Sequence, residues 1–263
     1  MKERLDVLLV RRGLFSSRER AKAEIRAGHV LVEGSPELRP GRECPEDAAI
    51  ALTGDTLRYV SRGGLKLEKA LEEFGIDPAG RVCLDCGAST GGFTDCLLQH
   101  GAERVYALDV GSSQLAETLR ADSRVLSMEH FNARDLKPED LPERPSLITV
   151  DVSFISLRLV LPALAAVLAP EAELVCLIKP QFEAGRGRLG KGGVVRDSRV
   201  HREVLEELLA FFPVLGLSVH GLIRSPILGS EGNLEFLCHL RPGAGGAVPE
   251  LRSIVEESKW KQR

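Results

Sequence analysis

Two short helices are predicted near the start of the chain, because apolar residues there recur at helical spacing: Leu5, Leu8 and Leu9 in the first, Ala21 and Ile25 in the second. Residue types that cap or stop helices bound them, namely Gly13, Ser16 or Ser17, and Gly28. Residues 29–32 then begin an extended segment. This pattern predicts a compact unit of two helices and a few strands.

Beyond residue 80, short runs rich in β-branched residues alternate with helical stretches. The predicted strands lie in the runs RVCLD, RVYALDV, SLITVDVSF and ELVCLIKP. The predicted helices span residues 92–100, 113–120, 156–168 and 201–212. Strict alternation of this kind is typical of an α/β fold with a doubly wound, mostly parallel sheet. In such open sheets, ligands bind beyond the carboxyl ends of the strands.

The composition is that of an ordinary globular protein, with 263 residues, 43% hydrophobic and 28% charged. It excludes a disordered or fibrous chain. No run approaches the roughly 20 apolar residues that a membrane helix needs, and the start, MKERLDVLLVRRG, has no cleavage site, so we expect a cytoplasmic protein. We place a small domain at 1–60, a linker with a first helix at 61–80, a large domain at 81–245 and a tail at 246–263.

The six cysteines are spread over the whole chain, so we expect reduced thiols. Cys83 and Cys86 form a C-x-x-C motif, but no second pair follows at the spacing that structural zinc requires. A thioredoxin-type redox pair would normally open a helix, whereas this motif lies in a predicted strand. We therefore expect no metal site.

Positive charge is concentrated near the start. The first thirty residues hold eight Lys/Arg and four Asp/Glu, whereas the whole chain has a net charge of −3. This asymmetry indicates either a binding surface for a polyanion or a solvated helical face. The side chains that could contact a polyanion there are Arg4, Arg11, Arg12, Arg18, Arg20 and Lys22.

The same segment resembles the S4 RNA-binding domain. The patterns R-L-D-x-x-L, S-x-R-x-x-A and I-x-x-G-x-V-x-V follow one another between Arg4 and Val32, and the resemblance covers about residues 3–60. It implies a small α+β domain that binds structured RNA by shape and backbone. RNA is therefore the predicted polyanion, and those six basic side chains are predicted RNA contacts.

A glycine-rich turn, DCGASTGGF, follows the first strand of the large domain. Its spacing fits neither the G-x-G-x-x-G of a dinucleotide-binding dehydrogenase nor a P-loop. The turn resembles the first motif of S-adenosylmethionine-dependent methyltransferases. The resemblance implies that S-adenosylmethionine is the cofactor and that this turn contacts it through Asp85, Gly87, Ser89, Thr90, Gly91, Gly92 and Phe93.

The second strand ends at Asp109, where a carboxylate could accept hydrogen bonds from both hydroxyls of a cofactor ribose. The alternative is that Asp109 caps a helix beginning near Ser112. Farther along, between the runs RVYALDV and SLITVDVSF, Asn132, Arg134 and Asp135 stand where an adenine edge would be read. We assign Asn132 and Asp135 to cofactor binding.

Asp151 comes near the end of the predicted strand in SLITVDVSF and Lys179 near the end of that in ELVCLIKP, which places an acid and an amine on one rim of the sheet. A structural ion pair is one explanation. However, the order Lys66, Asp151, Lys179 and Glu235 resembles the catalytic tetrad of FtsJ-type ribose 2′-O-methyltransferases. The resemblance implies that these four residues are catalytic and leaves open which lysine takes the proton.

Residues 181–198 are rich in glycine and positive charge. The segment is either a mobile wall that closes over RNA backbone or a flexible connection. We include Arg186 and Arg188 among the predicted RNA contacts, together with Arg62 in the run VSRGGLKL.

The S4-like segment and the runs VSRGGLKL, DCGASTGGFTDCLLQHGA, DVSFIS, LIKPQFEAGR and KGGVVRD together resemble the TlyA family over almost the whole chain. The resemblance implies a ribosomal RNA cytidine 2′-O-methyltransferase that acts on ribosomal RNA or ribosomal subunits. Some members of that family are labelled haemolysins. The alternatives are a catalytically inactive, ribosome-associated RNA-binding protein and a membrane-lytic protein, and the nearly all-apolar helix at 156–168 favours a buried element over a lytic one.

Overall fold

The computed structural model describes residues 2–12, 14–15, 18–52, 58–246 and 250–256. The chain divides into two compact units, an N-terminal unit of residues 1–60 and a large unit of residues 61–263. Residues 61–80, for which a linker with a first helix is predicted, group with the large unit, and so does the described part of the tail.

The described residues of the N-terminal unit form two helices and five short strands. In chain order they are β1 (Lys2–Arg4), α1 (Leu5–Arg11), α2 (Arg18–Arg26), β2 (Val30–Val32), β3 (Ser35–Pro36), β4 (Glu43–Pro45) and β5 (Ile50–Leu52). Strand β1 pairs with β4, and β2 lies between β3 and β5, all antiparallel. The predicted combination of two helices and a few strands is confirmed.

The helical spacing of the apolar residues explains the core of this unit. Leu5, Leu8 and Leu9 on α1 and Ala21 and Ile25 on α2 are fully buried, and they pack with valines of β2. Gly28 has a φ of +79°, the left-handed conformation expected of a residue that ends a helix. The other predicted caps and stops, Gly13, Ser16 and Ser17, lie outside the described residues.

The large unit is built around a seven-stranded sheet. Its elements are α3 (Gly63–Phe74), β6 (Val82–Cys86), α4 (Gly92–Gln99), β7 (Arg104–Leu108), α5 (Glu117–Arg120), β8 (Val125–Met128), β9 (Leu147–Val150), α6 (Leu157–Val167), β10 (Glu173–Ile178), α7 (Pro180–Glu183), α8 (Ser198–Phe211), β11 (Leu217–Arg224), β12 (Phe236–Pro242) and α9 (Leu251–Glu256). The strand order is β11-β12-β10-β9-β6-β7-β8.

Strands β6 to β10 are parallel, and β12 is antiparallel to both of its neighbours. Helices α6 and α8 pack on the face that carries Leu84, Tyr106 and Ile148, while α3 and α4 pack against each other and α4 against β6 and β7. The predicted α/β fold with a doubly wound, mostly parallel sheet is confirmed.

Two elements of the large unit differ from the sequence prediction. The helix predicted at 113–120 is only the single turn α5, which begins after Ala116. The hairpin formed by β11 and β12 was not predicted, because both strands follow the last helix of the alternating pattern and pair antiparallel. The hairpin matters to the site, since β12 begins next to Glu235.

The six cysteines are buried free thiols. Cys83 and Cys86 are three residues apart on β6, so their side chains point to opposite faces of the sheet, a geometry that neither zinc nor a disulfide can use. Burial raises the pKa of the Cys83 thiol to about 12. Within the described part of the chain, no helix is long and apolar enough to span a bilayer.

Candidate active site

A cavity of about 480 Å³ lies beyond the carboxyl ends of the parallel strands. Its walls come from the segments that follow β6, β7, β8 and β9. The residues that line it are Cys86, Gly87, Ser89, Leu108, Asp109, Val110, Gln114, Phe131, Asn132, Ala133, Arg134, Asp151, Val152, Ser153, Phe154, Ile155 and Val160. The cavity lies where ligands bind in open α/β sheets.

The glycine-rich turn after β6 forms one wall of this cavity. The backbone N–H groups of Gly87 and Ala88 both donate to the carbonyl oxygen of Leu108, at 2.8 and 3.1 Å. Gly87 has a φ of +89°, and a Cβ on it would lie 2.5 Å from the carbonyl oxygen of Asp151. The turn can therefore approach β9 this closely only because position 87 has no side chain.

Asp109 faces the cavity from the end of β7. One of its carboxylate oxygens accepts a hydrogen bond from the Gly111 N–H, and the other accepts one from the Ser89 N–H, both at 2.7 Å. The helix-capping alternative for Asp109 is wrong, because α5 begins only after Ala116. The carboxylate instead joins the glycine-rich turn to the loop after β7 at the cavity wall.

The predicted cofactor contacts divide into three groups by their position. Gly87, Ser89, Asp109 and Asn132 line the cavity. Asp85, Gly91, Gly92 and Phe93 are buried in the protein interior, and Thr90 and Asp135 are exposed to solvent. Asn132 accepts hydrogen bonds from the backbone N–H and the Nε of Arg134, at 3.1 and 3.2 Å, which fixes both side chains at the cavity wall.

Asp85 is fully buried on β6. It accepts a hydrogen bond of 2.7 Å from the Thr94 hydroxyl on α4 and one of 3.3 Å from the Thr149 hydroxyl on β9. Burial raises the pKa of the Asp85 carboxyl to about 7, and the nearby charge of Asp151 adds to the rise. This carboxyl holds the start of α4 against the sheet, and so supports the glycine-rich turn.

Asp151 and Lys179 form an ion pair of 2.6 Å between Oδ1 and Nζ at the rim of the cavity. Lys179 also donates a hydrogen bond of 2.9 Å to the Ser153 hydroxyl. The exposed fractions of the two side chains are 20% for Asp151 and 11% for Lys179. Both charged groups are therefore largely screened from solvent while Asp151 and Ser153 still border the cavity.

Lys66 and Glu235 form a second ion pair, with Nζ 2.6 Å from Oε2. The two residues are 169 positions apart in sequence, and both side chains are almost fully buried. The remaining oxygen, Oε1, accepts a hydrogen bond of 3.4 Å from the Gln181 amide. Burying an ion pair costs desolvation free energy, which its Coulomb attraction must offset. Stabilisation of the fold therefore does not by itself explain this pair.

Strand register brings the two ion pairs to the same edge of the sheet. Ile178 is paired with Phe236, so the next residues outward, Lys179 and Glu235, are neighbours at the ends of β10 and β12. Cys176 is paired with Val150, which places Asp151 beside the same end of β10. We call Lys66, Asp151, Lys179 and Glu235 the rim cluster, since four distant segments place them at one edge beside the cavity.

Ser153, Phe154 and Gln181 belong to the site but were not predicted. All three lie in the runs DVSFIS and LIKPQFEAGR, so the motifs themselves carried a signal. Phe154 is 92% exposed, has a φ of +63°, and its ring centre lies 5.0 Å from that of Phe182. The apolar lining residues gave no such signal, because nothing in a loop sequence marks which side chains face a cavity.

Many of the predicted RNA contacts are engaged within the N-terminal unit. Arg4 and Arg18 both pair with the buried carboxylate of Asp6, each at 3.0 Å. The others pair as follows: Arg11 with Glu3 and Glu46, Lys22 with Glu19, and Arg12 with the backbone carbonyls of Glu46 and Ala48. Half of the Arg4, Arg11 and Arg18 side-chain surface stays exposed, so these cations can still face a ligand.

The remaining predicted RNA contacts lie elsewhere. Arg62 is exposed at the start of α3, and Arg188 is exposed and pairs with Glu203 at 2.7 Å. The side chains of Arg20 and Arg186 lie outside the described part of the structure.

The glycine-rich segment 181–198 contains more structure than either prediction for it assumed. It holds most of α7 and the single helical turn Arg186–Arg188, and Gly192 and Gly193 both have a positive φ. Val194 and Val195 are buried, and Asn233 accepts a hydrogen bond of 3.1 Å from the Val195 N–H. The carboxyl-terminal part of the segment is therefore anchored beside the loop that leads to Glu235.

Known proteins resemble the whole chain. The FtsJ-like methyltransferase family matches residues 59–242, and the S4 domain matches residues 3–50. YqxC of Bacillus subtilis is 51% identical over 264 residues, which cover 98% of this chain and 94% of that protein. The 16S/23S rRNA (cytidine-2′-O)-methyltransferase TlyA of Mycobacterium tuberculosis is 46% identical over 239 residues, covering 90% of this chain and 89% of that protein.

A solved structure agrees with these sequence matches. A protein from Streptococcus thermophilus, described as a hemolysin, is 49% identical and superposes with a TM-score of 0.78 over 97% of this chain and 94% of its own. The chain therefore belongs to the TlyA group of FtsJ-like methyltransferases and carries an S4 domain in its N-terminal unit.

Proposed function

We propose that this protein transfers a methyl group from S-adenosylmethionine to the ribose 2′-hydroxyl of a cytidine in ribosomal RNA. The observation that carries the proposal is that strand register places two Lys–carboxylate pairs, Lys66–Glu235 and Asp151–Lys179, at the same ends of the strands, where Asp151 lines the cavity. The name of the Mycobacterium tuberculosis relative specifies the same reaction for that protein.

The cavity fits the cofactor in size and in its polar groups. Its volume of about 480 Å³ lies within the usual range of small-molecule pockets. The Asp109 carboxylate is fixed by two backbone N–H groups and faces the cavity, where it can accept hydrogen bonds from ribose hydroxyls. Gly87 lets the backbone come close to a ligand, and Asn132 offers its amide at the cavity wall. S-Adenosylmethionine supplies an activated methyl group on a sulfonium.

The rim cluster then has to activate a weak nucleophile. A ribose hydroxyl attacks well only if it is held in line with the methyl group and loses its proton as the new bond forms. Lys179 contacts Ser153 and Asp151, which both line the cavity. We therefore assign Lys179 to the ribose oxygen, where it takes the proton or holds the developing alkoxide. Asp151 orients Lys179, and Glu235 orients Lys66.

RNA binding is assigned to the S4 domain and to exposed cations of the large unit. The S4 domain holds the half-exposed Arg4, Arg11 and Arg18. Arg62 and Arg188 offer exposed guanidinium groups on the large unit. Guanidinium groups make bidentate hydrogen bonds with phosphates, and such contacts position RNA without reading its sequence.

The experiment that tests this function incubates the protein with methyl-labelled S-adenosylmethionine and with separated ribosomal subunits or their free RNAs. Label should enter RNA and appear as 2′-O-methylcytidine after digestion to nucleosides. Label on a base or on protein would contradict the proposed reaction. No transfer to any of these substrates, with intact cofactor binding, would favour the inactive RNA-binding alternative.

A further inference from the structure

Gln181 contacts one of the two ion pairs of the rim cluster, the Lys66–Glu235 pair. It is the second residue after Lys179, in α7, and its Nε2 donates the 3.4 Å hydrogen bond to Glu235 Oε1. Its own carbonyl oxygen, Oε1, is buried and has no hydrogen-bond partner among the described residues. The amide therefore satisfies Glu235 while one of its own atoms stays unsatisfied.

An unsatisfied buried acceptor lowers stability, because the oxygen loses its hydrogen bonds to water and gains none in the protein. An apolar side chain of the same length would avoid that cost. The Gln181 amide, in contrast, donates a hydrogen bond to Glu235 Oε1, the carboxylate oxygen to which Lys66 does not donate. This trade-off points to a requirement of the site and not of the fold.

Gly229 restricts the same carboxylate from another side. A Cβ on Gly229 would overlap Oε1 of Glu235, so the carboxylate lies directly against the glycine backbone. The Gly229 N–H donates to the Asn233 carbonyl at 2.8 Å, which closes the loop leading to Glu235. Lys66 on Oε2, Gln181 on Oε1 and the Gly229 backbone together leave the carboxylate one orientation.

We propose that Gln181 is a positioning residue for methyl transfer, which fixes the Glu235 carboxylate and through it the ammonium group of Lys66. The inference rests on the proposed function, since it assigns a role within the same site. Gly229 serves the same purpose by its lack of a side chain. Neither residue need touch the cofactor or the RNA.

The first test replaces Gln181 by Met, which has nearly the same shape but neither a donor nor an unsatisfied acceptor. Gln181→Met should change the melting temperature little, because removal of the unsatisfied Gln181 Oε1 offsets the loss of the hydrogen bond to Glu235. It should leave the KM for S-adenosylmethionine within about twofold and lower kcat by roughly 10-fold or more. Gly229→Ala should lower kcat as well, and the double variant should lose less than the product of the two effects, because both act through Glu235.

The second test uses Gln181→Glu and pH. A protonated carboxyl at position 181 can donate a hydrogen bond to Glu235 as the amide does, whereas an ionised one repels it. The ratio of variant to wild-type kcat should therefore rise as the pH falls from about 8 to about 6. A residue that only filled space would show no such rescue by acid.

The matched control is Gln99→Met, which removes an exposed amide on α4 that donates to Asp95 at 2.9 Å. It should leave kcat unchanged. A second readout that does not need transfer is the ¹⁵N signal of the Lys66 ammonium, assigned with Lys66→Arg, which should move in Gln181→Met and not in Gln99→Met.

Full wild-type kcat in Gln181→Met, or a parallel loss of kcat and melting temperature, would overturn the inference. An unmoved Lys66 signal would overturn it as well. Absence of transfer by the wild-type protein would instead contradict the proposed function, and the Lys66 signal would then decide the inference alone.

Discussion

The α-carbon of Gly87 lies against the backbone carbonyl of Asp151, so closely that a Cβ would be 2.5 Å from the oxygen. This contact joins the glycine-rich turn after β6 to the end of β9. The wall of the cavity and the acid of the rim cluster are therefore held at a fixed spacing by backbone atoms. A change at Gly87 should affect both at once.

Gly87→Ala should lower the free energy of unfolding by roughly 1–3 kcal/mol and weaken S-adenosylmethionine binding by about 10-fold or more, because the turn must move away from β9. Gly80→Ala is the matched control, since Gly80 also has a positive φ of +67° but has open space around the added Cβ. It should cost about 1 kcal/mol and leave cofactor affinity unchanged. Denaturant unfolding and calorimetric titration measure both; equal cofactor affinity in the two variants would contradict the prediction.

Asp109→Asn should weaken S-adenosylmethionine binding by about 10- to 100-fold while the protein stays folded, because the amide offers one acceptor oxygen where the carboxylate offers two. Asp122→Asn, on an exposed turn where Asp122 pairs with Arg124, should have no effect on binding. Calorimetric titration with the cofactor measures this. An unchanged dissociation constant for Asp109→Asn would remove Asp109 from the cofactor site.

Asp85→Asn should change how stability depends on pH. Burial raises the pKa of Asp85 to about 7, so the folded protein holds this proton more tightly than the unfolded chain does. The contribution of Asp85 to stability is therefore fully present below the unfolded pKa, near 4, and is lost as the pH rises through about 7.

The variant cannot titrate at this position. The free energy of unfolding of the variant minus that of the wild type should therefore rise by roughly 2–4 kcal/mol from about pH 4 to about pH 8. Denaturant unfolding at both pH values measures the difference. A difference that stays constant with pH would show that Asp85 is ionised throughout the range.

Charge reversal at Arg186 and Arg188 should weaken binding of ribosomal RNA by about 10-fold and reduce the slope of log affinity against log salt by about 1 to 2. The reason is that each lost phosphate contact releases about one counterion fewer. The control reverses Arg199 and Arg202, which are exposed on α8 at 85% and 60%. The same loss in both double variants would indicate a general charge effect and not a contact made by this segment.

Most of the fold could be predicted from the sequence, because the spacing of apolar residues distinguishes helices from strands. The buried leucines of α1 and the strands β6, β7, β9 and β10 follow helical and alternating or continuous apolar patterns. Asp109, Asp151 and Lys179 were found because each directly follows a strand, and the carboxyl ends of parallel strands share one edge. Glu235 was predicted from its place in the tetrad that the resemblance implies, although the antiparallel β12 that follows it was not predicted.

The sequence could not reveal contacts that only tertiary packing creates. Asp85 lies in the glycine motif, yet strand geometry turns its side chain toward Thr94 and away from the cavity. Arg4 and Arg18 were predicted as RNA contacts, but both form ion pairs with the buried Asp6. Gln181 gave no sign of its bond to Glu235, which depends on how β10 and β12 pair.

The most direct test of the account measures methyl transfer and cofactor binding for Lys179→Ala beside the wild-type protein. Lys179 borders the cavity through Asp151 and Ser153 and is assigned to the ribose oxygen, so the variant should lose transfer to ribosomal RNA by at least about 100-fold. Its dissociation constant for S-adenosylmethionine should stay within about threefold of wild type. Full transfer by Lys179→Ala, or an equal loss of transfer and of cofactor binding, would contradict the assignment of Lys179 to the reacting oxygen.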